Sequence, residues 1–243
     1  MGKKLTKVKS LLGRIQFIDL AKAIAVPELK RKDHLRGYLE RALAGGRMAS
    51  YEHFRRSIPD IYAVERPLDL SPPLTLDEIR QQLRLGCHSD DLARCTEVAE
   101  LLFTFVRDRG YKCYDHPAHD LLLSPTRRAQ IRINHYVVDG ERGVFQYVYP
   151  RREELLGRQV QVMLSLIYHN YAESDFSEFD VEMVDLSCPT IFGPRGGRAS
   201  SGVRSPRLVT MQSTDLISRI DLQPEVQSVH DLLIEIGEEP DDA

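Results

Sequence analysis

The chain reads as an α+β protein: a mixed, mostly antiparallel sheet flanked by helices, with a helical region at its N-terminus. Three observations predict it. Apolar residues recur at helical spacing through the first third of the chain and again from 90 to 109. Beyond residue 110 the apolar period drops to two, the period of a half-buried strand. A helix-spaced run then separates this alternating region from a further one, FDVEMVDLS at 179–187, which implies a crossover between strands.

Taken in order, Leu5, Val8, Leu12 and Ile15 open a helical pattern that continues to Val26, where Pro27 stops it. A charged helix follows over 28–43, with Leu29, Leu35, Leu39 and Leu43 inward and Gly45–Gly46 as its end. A short helix is expected near 49–57. The four prolines between Pro59 and Pro73 then read as a linker. This divides the chain into a basic helical region (1–58), a Pro-rich linker (59–74) and an α+β domain (75–243).

Thr75 and Glu78 form a capping-box pattern at the head of the next helix, which ends near Gly86. Another helix starts at Ser89 or Asp90 and ends at Gly110. Tyr111–Tyr114 and Leu121–Ser124 read as extended. The run AQIRINHYVV (129–138) alternates as one strand, and the loop DGERG joins it to VFQYVYP as a hairpin, with Gly140 and Gly143 supplying positive φ. A helix is expected from Arg151 to Tyr171, a strand at 179–187, a last strand at LVTM and a last helix over 225–236.

Charge is uneven. Residues 1–70 are strongly basic, 195–207 hold four arginines and no acid, and 208–243 are strongly acidic, although the whole chain carries a formal net charge of -3. Blocks of this kind mark an anion-binding face beside an acidic tail, or solvated surfaces that cancel in space. No run has the eighteen or so apolar residues of a membrane span. Four scattered cysteines suit free thiols in a reducing cytoplasm, not a disulfide scaffold.

Several chemistries are disfavoured. There is no GxSxG elbow, no GxGxxG after a strand and no HExxH, and the segment GPRGGRASSG lacks the lysine of a phosphate-binding loop. The stretch GYKCYDHPAHDLLLS places Cys113, Asp115, His116, His119 and Asp120 close together. Without CxxC or HxxxH spacing it reads as buried thiol plus surface histidines before it reads as a metal cage.

The helix-strand-strand-strand-helix-strand order over residues 90–187 resembles the core of the restriction-endonuclease-like phosphodiesterases. In that family an Asp and a carboxylate-x-Lys motif hold a divalent metal. The resemblance carries these positions onto Asp120, as metal ligand, and onto Gln130 and Arg132 in AQIRI, with Glu97 or Glu100 as an extra helix acid. Gln130 and Arg132 replace the carboxylate and the lysine, so the resemblance implies a nuclease-like core that is inactive. No cofactor is expected, and Mg²⁺ is the ion implied if the core cleaves.

Two arginine- and lysine-bearing segments suit phosphate contacts: Lys30, Arg31 and Lys32 on the N-terminal helix, and Arg195, Arg198, Arg204 and Arg207 on the Gly/Ser loop. The leading expectation is therefore a cytoplasmic protein that binds DNA, RNA or another polyanion. The alternatives are a metal-dependent nuclease with a divergent site, and a protein-interaction module whose charge blocks, the acidic C-terminal tail among them, meet a partner protein.

Overall fold

The computed structural model describes residues 15–43, 51–65, 72–117, 119–124, 127–131, 133–155, 157–173, 176–192 and 198–238. Its helices are α1 (Phe17–Ala25), α2 (Glu28–Leu43), α3 (Glu52–Ile61), α4 (Leu76–Gly86), α5 (Ser89–Arg109), α6 (Arg158–Ile167) and α7 (Arg219–Glu238). The strands are β1 (Lys112–Asp115), β2 (His119–Ser124), β3 (Arg127–Ile131), β4 (His135–Asp139), β5 (Arg142–Tyr149), β6 (Asp180–Asp185), β7 (Thr190–Phe192), β8 (Arg198–Ser200) and β9 (Arg207–Thr210). The architecture is α+β, as the alternation of periods predicts.

Five strands form the central sheet in the order β1-β4-β5-β6-β9. Only the β5–β6 pair is parallel, and α6 makes the crossover between them. Strand β5 is buried from Gly143 to Tyr149 because helices cover both of its faces. Phe145, Tyr147 and Tyr149 point into one apolar layer with α1, α2, α6 and α7. Val144 and Val148 point into the other, with α3, α4 and α5. The N-terminal helices thus pack into the same two layers as the rest of the chain.

Local signals hold where they are self-contained. Thr75 and Glu78 make both bonds of the capping box, Glu78 N–H donating to Thr75 Oγ1 at 3.3 Å and Thr75 N–H to Glu78 Oε2 at 2.7 Å. Gly110 closes α5 at φ 62°. Of the two hairpin glycines, Gly140 takes positive φ at 66°. Gly143 serves another purpose: a Cβ there would meet the Phe179 ring at 2.5 Å.

Three expected elements differ. The run 129–138 is two strands: β3 pairs with β2 in a separate two-stranded sheet, whereas β4 joins the central sheet. Pro59 lies inside α3 and not in a linker. The helix expected from Arg151 begins at Arg158, because the preceding side chains are held by tertiary partners. Arg151 donates to both Asp19 carboxylate oxygens at 2.8 Å, and Glu154 accepts from Thr190 N–H at 2.6 Å. Gly157 then turns the chain at φ 47°. The four cysteines are free thiols.

Candidate protein-interaction face

Of the residues expected to form a phosphodiesterase site, two are neighbours and one lies on another element. Asp120 and Gln130 face each other as register partners across the β2–β3 ladder; Arg132 and the side chains of the other two lie outside the described residues. That ladder packs with α1 and α7 in the first apolar layer, through Ala129 and Ile131. Glu97 is on α5, in the layer on the opposite side of the sheet, and accepts from Arg204 Nε at 3.0 Å. Among the described residues no group of three or more His, Cys, Asp or Glu side chains is placed to hold a metal ion.

Most of the basic residues expected to meet phosphate are committed within the chain. Arg31 is 3% exposed, pairs with Glu225 of α7, and donates to Ser228 Oγ at 2.9 Å and to the Ile24 carbonyl at 3.2 Å. Lys32 pairs with Glu235 at 2.6 Å. The basic α2 therefore lies against the acidic α7, and the two charge blocks meet inside one molecule. Arg207 pairs with Glu154 and Asp185. Lys30 is exposed, Arg195 lies outside the described residues, and of Arg198 the backbone alone, in β8, is described.

Arg204 departs furthest from a loop arginine poised for phosphate. It is 6% exposed. Besides Glu97, its guanidinium donates to the carbonyls of Leu186 (2.6 Å) and Pro150 (2.9 Å) and to Tyr51 Oη (3.0 Å). Carbonyls at the strand ends accept from it, so it latches its loop to the sheet.

The sequence also hides a buried polar chain. On β5, Gln146 donates to Glu182 Oε2 at 2.8 Å and accepts from Tyr62 Oη at 3.0 Å, and Arg142 donates to Glu182 Oε1 at 3.0 Å. Glu182 is the parallel-ladder partner of Gln146 on β6. Burial pushes the Glu182 carboxyl above its ordinary range, against the pull of Gln146 and Arg142. Every member of this chain is satisfied by another, so its evident work is to fix the β5–β6 pairing beneath α3.

One surface open to a partner is the outer face of the α4–α5 hairpin. Helix α4 buries only Ile79 and Leu83. Leu85, two residues past Leu83, is turned about 200° away from it on the helix and is 83% exposed. Gln81, one turn before Leu85, lines an open groove of about 880 Å³ with Arg80, Arg84, Leu92, Glu97 and Glu100. A second groove, about 580 Å³, continues along α5 through the shared Glu97 and Glu100 to Leu101, Phe105 and Val203. Val203 is 73% exposed. The face thus has a charged middle, where Arg80 bridges Asp77 and Glu100, each at 2.8 Å; Val203 borders one end, and Leu85 stands on the flank of α4 at the other.

The fold is α+β, and among the described residues the α4–α5 face offers grooves and exposed side chains with no metal-holding cluster. Comparison with known families narrows the class: the model for the sliding clamp-binding bacterial toxin SocB matches residues 18–243. The chain belongs to that family. No curated protein and no solved structure matches it.

The exposed apolar residues of this region were legible in part. Leucines two apart in LRLG cannot share one side of a helix, so one of Leu83 and Leu85 must point outward. Val203 carries no such signal, because its exposure depends on the arginine beside it.

Proposed function

We propose that this chain binds a sliding clamp through the outer face of the α4–α5 hairpin and acts as a bacterial toxin by occupying the clamp, in the cytoplasm where such a partner is found. The family match over residues 18–243 carries the reading. Supporting it, Leu85 is 83% exposed on a helix that buries Ile79 and Leu83, as an anchor side chain awaiting a partner is. The mechanism is one of surface competition: a ligand seated on the clamp excludes other proteins that use the same patch. Among the described residues no helix is long and apolar enough to cross a membrane.

Moving a leucine from water into a fully apolar contact is worth about 1.5–3 kcal/mol. Leu85→Asp is therefore expected to weaken clamp binding by at least about tenfold. The measurement is titration calorimetry with purified bacterial sliding clamp. Leu29→Asp is the control, since Leu29 is 97% exposed on α2, away from the hairpin. Absence of binding by the unmodified protein would overturn the reading, and equal loss in both variants would overturn the assignment to this face.

A further inference from the structure

We infer that the loop leading from β8 into β9 is a second, pre-ordered contact of the docking face, with Val203 as its touching side chain and Arg204 as the residue that positions it. This rests on the clamp-binding reading above and adds to it where and how the partner is gripped.

The loop tip is unusual in being both apolar and fixed. Its backbone is pinned from several directions. Ser201 N–H donates to the Pro189 carbonyl at 2.9 Å, and Ser205 N–H to that of Ser187 at 3.3 Å. Arg152 donates to the Gly202 carbonyl at 2.8 Å, and Ser201 Oγ to that of Val203 at 2.9 Å. Gly202 takes φ 77°, which turns the chain so that the next side chain stands outward. Arg204 then anchors the loop to α5, β6 and α3's entry through Glu97, the Leu186 carbonyl and Tyr51.

A fixed apolar side chain that faces water gains nothing for folding. It does gain for binding, because the entropy of ordering the loop has already been lost when the partner arrives. A flexible valine on a Gly/Ser loop would have no such advantage. The groove that Val203 borders also commits to a chemistry. Leu101 and Phe105 give it an apolar floor. Its charges are largely answered within the chain: Glu97 by Arg204, Glu100 by Arg80, and Asp108 stands beside Arg109 in the same lining. The complementary patch on the clamp is therefore apolar.

The test is calorimetry and hydrogen exchange on the full chain with a bacterial sliding clamp. Val203→Asp is expected to weaken binding about tenfold with nearly unchanged thermal stability, because Val203, 73% exposed, buries little surface in the free protein. Arg204→Lys, which keeps the charge but not the fork of donors, is expected to speed exchange at residues 199–203 in the free protein and to weaken binding in parallel. Adding clamp to the unmodified protein is expected to slow exchange along α5 near Leu101 and Phe105. If the unmodified protein binds but Val203→Asp binds equally well, the second contact is refuted while clamp binding stands. If no form binds, the clamp reading itself fails. If Arg204→Lys is too unstable to purify, Val203→Asp and the protection pattern decide alone.

Discussion

At the scale of single residues, His135 sets a pH limit on the molecule. It lies on β4 at 2% exposure with its ring 4.3 Å from that of Tyr62, and its Nε2 is buried with no hydrogen-bond partner among the described residues. Burial holds its pKa down, from 6.5 to about 4. The unfolded chain therefore binds a proton between those values that the folded chain refuses. Stability from this group is full above pH 6.5 and is lost as pH falls toward 4, by about 3 kcal/mol in total. Urea denaturation at pH 7 and pH 4.5 is expected to show this loss, and His135→Phe is expected to flatten it. The cysteines behave in the same spirit: burial pushes the thiols of Cys95 and Cys113 up to about 12, so neither is a ready nucleophile near neutral pH. Arginines show why residue identity alone misleads. Nothing in GGRASSGVRSP separates a solvent-facing arginine from Arg204, which spends its donors on carbonyls supplied by strands far away in sequence.

At the scale of elements, what was legible follows how local each signal is. The Thr75–Glu78 cap, the Gly110 stop and the β4–β5 hairpin each rest on neighbours within a few residues, and the structure contains all three. The AQIRINHYVV run misleads because alternation persists through a point where the chain changes sheets, and choice of ladder partner is a non-local matter. The late start of α6 is likewise tertiary: Arg151–Asp19 and Glu154–Thr190 hold a segment whose own pattern favours helix. Gly143 marks a packing contact that only the structure exposes. The Phe179 ring above it packs on Tyr136, Phe145 and Phe176 at centroid distances of 5.2, 5.4 and 5.0 Å, so it can give way only by breaking those contacts. Gly143→Ala is expected to cost about 1–3 kcal/mol, read as a lowered midpoint in thermal unfolding with the hairpin turn at Gly140 left intact.

At the scale of the whole molecule, the basic start and acidic end were visible in the sequence, but whether they face a partner or each other was not. The structure sets α2 against α7 through Arg31–Glu225 and Lys32–Glu235, and α7 adds Leu222, Val229 and Leu233 to the first apolar layer. Ending the chain at residue 218 is expected to abolish cooperative unfolding and to make the remainder readily cleaved by trypsin, with Arg31 left as a buried cation lacking its carboxylate. The same closure governs how the protein comes into being. Helix α7 completes an apolar layer that α1 and α2 begin far earlier in the chain, so that layer cannot close until both segments have been synthesised.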